Sequence, residues 1–260
     1  MKTIIFGLLT LTALSSALAQ EALPIKALEF QLGLEHGRLL DRHASPLVYT
    51  YSMPHFSLGY INQSQQRQWR VWAQLSLGNM ERRNDELRTT EVEGNNTYSA
   101  GFGFSYLRSW KQSQQWQHYL GGSLQLNLIS DFEAIAEGPW VTAQGRLALD
   151  YQLERQLNNG NRLKAQVSLP LLGIVARQPF HFIPRNPGQS PGFASFLDRG
   201  TQIVSWDKYQ RFDLEVSYQI SLGQRWLLIP TYSFSWFRFS DPQPISAYQQ
   251  QLGLRLGLRL

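Results

Sequence analysis

From Leu252 to Leu260 every second residue is leucine, with Gly253, Arg255, Gly257 and Arg259 between them. A repeat of two places all five leucines on one face of a β-strand and both arginines on the other. The same alternation recurs along the chain and predicts about ten strands. In the first, Ala27 to His36, Leu28, Phe30, Leu32 and Leu34 oppose Glu29, Gln31, Gly33 and Glu35. The second, Leu47 to Ile61, alternates clearly only at Phe56, Leu58 and Tyr60, and Pro54 is expected to mark a bulge because proline cannot donate to a ladder. The third carries Trp69, Val71, Ala73, Leu75 and Leu77 on one face. The fourth sets Tyr98, Ala100, Phe102, Phe104 and Tyr106 against Ser99, Gly101, Gly103 and Ser105.

The fifth strand sets Leu120, Leu124, Leu126 and Leu128 against Ser123, Gln125 and Asn127, and the sixth sets Val141, Leu147, Leu149 and Tyr151 against Thr142, Gln144, Arg146 and Asp150. The seventh opposes Leu163, Ala165, Val167 and Leu169 to Lys164, Gln166 and Ser168. In the eighth, Phe212, Leu214, Val216, Tyr218 and Ile220 face away from Arg211, Asp213, Glu215, Ser217 and Gln219. Trp226 to Phe239 is the ninth, and the leucine strand is the tenth. Nothing in the pattern reads as a long helix.

Connections alternate in length. Short ones lie near Asn62–Gln68, Lys111–Gln115, Glu154–Asn161 and Ser221–Arg225; longer ones lie near Gly37–Pro46, Asn79–Asn96, Ile129–Pro139, Leu172–Asp207 and Ser240–Ser246. An even strand number with short turns at one end and long loops at the other predicts an all-β, closed, antiparallel up-and-down transmembrane barrel, its turns periplasmic and its loops extracellular. Tryptophans support the placement. Trp69, Trp110, Trp116 and Trp226 flank short turns, and Trp140, Trp206 and Trp236 lie near long loops, as two interfacial girdles require. Trp72 alone falls on the lumenal face. In a soluble up-and-down barrel the leucine faces would instead point inward, and aromatics at both rims of nearly every strand argue against that.

Met1-Lys2, the apolar run Ile4 to Leu14 and the small-x-small site Ala17-Leu18-Ala19 read as a cleaved secretory signal over residues 1–19, leaving one barrel domain over 20–260. The expected location is therefore the bacterial outer membrane. Charged residues make up 17% of the chain and aromatics 13%, against about 25% charged in a typical soluble domain. Beyond the leader no apolar run is long enough for a membrane helix. The chain has no cysteine, which excludes disulfides and thiolate metal sites. A net charge of +5, falling to +4 without the leader's single lysine, gives no case for nucleic-acid binding.

With the leucines toward lipid, the opposite faces fill a lumen only wide enough for side chains or a thin pore. Charges there must be paired or wet. Closure of the last strand on the first predicts an Arg259–Glu29 contact and a contact of Arg255 with Glu35 or Gln31. Arg146, Asp150, Arg211, Asp213 and Glu215 would extend that network.

Chemistry-bearing motifs are few. His55-Phe56-Ser57 puts an imidazole and a hydroxyl on one side of a strand, and resembles the His-x-Ser pair of outer-membrane phospholipases and lipid A deacylases; Leu58 stands where those families place Asn. His55 and Ser57 are thus the only catalytic candidates, set against a structural role in the lumen. His36, Asp41 and His43 around the first long loop offer donors for a metal, but spacing alone does not assign one, and no metal or other cofactor is expected. The loop Asn79–Asn96 mixes Glu81, Arg82, Arg83, Asp85, Glu86, Arg88, Glu91 and Glu93, as a solvated hairpin or a lipopolysaccharide contact would. Leu172–Asp207 combines four prolines with Phe180, Phe182, Phe193, Phe196 and Trp206. Its aromatics need burial, so it is expected to fold over the barrel mouth or to dock on a neighbouring protein.

The chain as a whole resembles the small outer-membrane β-barrel proteins of Gram-negative bacteria, although those usually end in an aromatic residue and this chain ends in Leu260. The resemblance implies contact with outer-membrane lipids and lipopolysaccharide and, for an accessory role, with another outer-membrane protein. The expected function is a non-enzymatic surface or accessory component with a plugged or narrow lumen. A narrow channel for small polar solutes and a lipid-acting hydrolase using His55 and Ser57 stay open as alternatives.

Overall fold

The computed structural model describes residues 24–42, 48–83, 97–113, 115–131, 140–157, 160–177, 201–241 and 243–260. Eleven strands run through them: β1 (Ile25–Asp41), β2 (Val48–Gln63), β3 (Arg67–Arg83), β4 (Thr97–Gln112), β5 (Trp116–Asp131), β6 (Trp140–Gln156), β7 (Arg162–Arg177), β8 (Thr201–Val204), β9 (Tyr209–Leu222), β10 (Trp226–Phe239) and β11 (Ile245–Arg259). Each pairs antiparallel with its neighbours, and β1 pairs with β11, so ten of them close a ring. The eleventh goes beyond the ten that alternation predicts. β8 is a four-residue strand on the edge of β7 that also carries β9: β9 takes Arg162–Ser168, and β8 takes Gly173–Ala176. A turn through Ser205–Lys208, closed by the Tyr209 amide donating to the Ser205 carbonyl at 2.9 Å, separates the two. There is no helix among the described residues.

The alternation reads directly as outside and inside. Leu34, Leu58, Leu124, Leu126, Leu147, Leu252 and Leu254 stand exposed on the outer wall, while Glu29, Gln31, Glu35, Gln144 and Arg146 are buried in the lumen. This inverts a soluble protein, whose exposed apolar patches stay small. At the short-turn end the Tyr60 and Trp69 rings pack with centres 5.0 Å apart, tilted by 44°, Tyr106 stands directly opposite Trp69, and Trp110 and Trp226 project outward. Trp206 is half-exposed in the turn before β9.

Pro54 does not make a bulge. Its pairing with β1 is unbroken, whereas the ladder to β3 lapses between Ser52–Asn79 and His55–Ser76 and resumes in the same register. The missing N–H costs hydrogen bonds on one side without inserting a residue. The irregularities fall instead between Ser109 and Lys111, and between Leu147 and Ala148 opposite Leu172 and Pro170.

Candidate functional site: the lumen

Lumenal side chains meet across the ring in separate groups. The central one is a closed cycle of alternating charge. Arg70 Nε lies 3.1 Å from Glu29 Oε2, and its Nη1 lies 3.8 Å from Glu215 Oε2. Arg255 reaches the same two carboxylates at 3.7 and 3.2 Å. β3 and β9 stand on opposite sides of the ten-strand ring, so Arg70 bridges the full lumen. Gln31 completes the group: its Oε1 accepts from Arg255 Nε at 3.2 Å, and its Nε2 donates to Thr231 at 3.2 Å. The Arg70 guanidinium also lies over the Trp72 ring, 5.3 Å from its centre.

Strand register corrects the expected partners. Ala27 stands opposite Arg259, Gly257 opposite Glu29, and Gln31 opposite Arg255. Arg259 therefore does not reach Glu29. It donates to the Gln224 carbonyl at 3.2 Å and to Ser221 Oγ at 2.8 Å, in the β9–β10 turn. Nor does Arg255 meet Glu35, which stands opposite Gln251. Arg70 is absent from the predicted network because the apolar face of its strand dominates the pattern; the alternation that marks Trp72 as lumenal marks Arg70 too.

Asp213 joins Arg146 and Arg211 in a second group, with Arg211 Nε 3.0 Å from Asp213 Oδ1. Gln144 accepts from Arg211 and from the Tyr209 hydroxyl, both at 3.2 Å. Asp150 is buried in register with Ser168, within electrostatic range of Arg146 and Asp213. Toward the short turns, Glu154 of β6 accepts from Gln63 of β2 at 2.7 Å and from Arg162 at 3.1 Å, and Lys164 donates to Gln63 at 2.8 Å. At the opposite mouth Arg177 of β7 pairs with Asp41 of β1 and donates to the carbonyls of Asp241 and Gln243 at 3.2 and 2.8 Å.

Just inside that latch the lumen is apolar, a feature the alternation does not reveal. Leu39, Tyr49, Tyr51, Met53, Met80, Val175, Tyr209, Phe237, Phe239 and Ile245, from β1–β3, β7 and β9–β11, form one buried cluster, against which Ile129 of β5 packs. Tyr49, Tyr209 and Phe239 are 0–1% exposed. Here the alternation is inverted: the apolar set takes the lumenal positions, while Thr50, Ser52, Asn79, Arg238 and Ser246 face outward. A cavity of about 180 Å³ runs from the underside of this cap past the central cycle. It is lined by Glu29, Arg70, Glu215 and Arg255 themselves and by amides and hydroxyls from Ser57, Ser99 and Gln251 to Gln68 and Gln152 on the short-turn side.

His55 and Ser57 both face inward, but they are not engaged with each other. His55 Nδ1 lies 2.9 Å from the Ser76 hydroxyl, which donates its own proton to Glu35 Oε2 at 2.6 Å. The imidazole of His55 is therefore engaged with Ser76 and Glu35 and not with Ser57. His55, Ser76 and Glu35 are 1–2% exposed, whereas Ser57 is half-buried in the cavity wall. Among the described residues no three His, Cys, Asp or Glu side chains converge as a metal site. His36 projects outward and Asp41 inward, and His43 lies outside the described residues, as do Phe180, Phe182, Phe193, Phe196 and most of the charged loop after Glu81.

No family model matches the chain, and no curated protein matches it by sequence. Solved structures do. The outer membrane protease OmpT from Escherichia coli superposes with a TM-score of 0.55 at 8% identity, over 94% of this chain and 99% of that one. The beta domain of the Bordetella autotransporter BrkA gives 0.46 at 12% identity, over 91% and 100%. The translocator domain of the autotransporter NalP from Neisseria meningitidis gives 0.44 at 8% identity, over 99% and 96%. At such identities only the likeness to OmpT bears on this chain, and it shows the fold alone: a closed barrel of the kind found in Gram-negative outer membranes.

Proposed function

We propose that the protein is an integral outer-membrane barrel, exported through a cleaved signal over residues 1–19, that serves as a non-enzymatic surface or accessory component with a closed lumen. The apolar outer wall and the aromatics near its rims support the membrane setting. The observation that carries closure is the Glu29–Arg70–Glu215–Arg255 cycle across the middle, beneath an apolar cap and the Asp41–Arg177 latch. A narrow cross-section whose charges are paired with one another offers an ion little in place of its water shell. In planar bilayers the reconstituted protein is expected to give no current steps above the lipid baseline. Steady steps from the unmodified protein would overturn closure and select the second reading, a narrow channel for small polar solutes, which the amide- and hydroxyl-lined cavity favours.

A protease-like or lipase-like activity has less support. The pairing of His55 with Ser76, and of Ser76 with Glu35, leaves Ser57 without an activating base. Incubation with phospholipid vesicles is expected to release the same background of fatty acid from the wild type and from Ser57→Ala. Turnover that disappears in Ser57→Ala would restore the hydrolase.

A further inference from the structure

We infer that the short-turn rim of β3–β6 binds the headgroups of anionic phospholipids, centred on Arg67 and Arg108. This rests on the membrane reading and adds a specific lipid class to it. The residues joining the strands at this end, 64–66, 113–115, 157–161 and 223–225, include no Asp or Glu, while Arg225 adds a cation. The rim's outer surface also presents Arg67, Arg108 and Lys111, all exposed. Glu154, the carboxylate of this region, points into the lumen and is consumed by Arg162 and Gln63.

Arg67 and Arg108 stand directly opposite each other in the β3–β4 ladder. Two like charges in that position destabilise a sheet, so the pair favours an anion between its guanidinium groups. A phosphodiester suits them, because the planar fork of arginine matches two phosphate oxygens. Alongside, the Arg155 guanidinium lies 5.2 Å from the centre of the Trp116 ring and donates to Gln115 Oε1 at 3.2 Å. That stacking holds a further cation at the rim. Trp69, Tyr106 and the 72%-exposed Trp110 place the patch at headgroup depth, just beyond the leucine belt. The opposite mouth differs: there the exposed Lys208 is matched by Asp241 at 2.7 Å.

The test is native mass spectrometry of the purified barrel, released from micelles containing equal amounts of dioleoyl phosphatidylglycerol and phosphatidylcholine. Retention of phosphatidylglycerol is expected to exceed that of phosphatidylcholine about tenfold or more, since each of several cations near an anionic headgroup adds its own attraction. The preference should collapse in R67Q/R108Q and fall to an intermediate value in R67K/R108K, which keeps the charge but not the planar fork. Both pairs of changes lie on the exposed rim, and heat-modifiable electrophoretic mobility checks that each variant is folded. Equal retention of the two lipids, or a preference unchanged in R67Q/R108Q, overturns the site. Displacement of the lipid by millimolar inorganic phosphate would reassign it to free anions. Co-flotation with vesicles separates the two claims: a barrel that floats without lipid preference refutes only the headgroup site, and one that does not float refutes the membrane reading as well.

Discussion

Arg70→Leu is expected to lower the unfolding free energy of the barrel by about 3–5 kcal/mol, the usual cost of leaving a buried charge without its partner. Glu29 is 4% exposed and would keep only the longer 3.7 Å contact with Arg255. Glu215 loses less, since its side chain is 34% exposed and keeps its 3.2 Å contact with Arg255. The penalty therefore belongs mostly to the Arg70–Glu29 pair. Adding Glu29→Gln to Arg70→Leu should recover part of the loss, with a coupling energy on the order of 1–3 kcal/mol in a double-mutant cycle. Urea unfolding in detergent, followed by tryptophan fluorescence, measures both. Additive effects would show that the two side chains are solvated separately and that the cycle does not close the lumen.

Gly33→Val should have a larger effect and a different origin. Gly33 stands opposite Gly253 on the seam where β1 meets β11. A Cβ at Gly33 would lie 2.4 Å from the Leu252 carbonyl oxygen and 2.9 Å from the Gly253 Cα. Backbone cannot swing aside as a side-chain tip can, so the two strands must part at the only place where the first joins the last. Loss of more than about 4 kcal/mol, the range reserved for severe single changes, is the expected outcome. It would show in electrophoresis without boiling as disappearance of the fast-migrating closed barrel. Gly160, in a turn with φ of 78° and nothing within 4 Å of where a Cβ would sit, makes the contrast: Gly160→Ala strains only the local backbone and should leave closure intact.

The leucine strand, the faces of β4 and β5, and the turn-and-loop asymmetry are legible from residue order alone, because a period of two is a property of each strand by itself. Residues of one strand fix its two faces, and the sum of such strands fixes a barrel. The partners inside it are not legible in this way. Arg255 and Arg259 look alike in sequence, but one closes a charge cycle and the other caps a turn, because register puts Gln31 and not Glu29 opposite the first. Arg70 meets Glu215 only because ring closure brings β3 and β9 to opposite walls of one narrow lumen. The apolar cap is hidden for a related reason. Tyr49, Tyr51, Met53, Phe237 and Phe239 belong to strand ends where the apolar set points inward, opposite to the leucine belt, and only the continuous strand and ring closure settle that reversal. Local alternation determined the wall; register and closure, which depend on all ten strands together, determined what fills it.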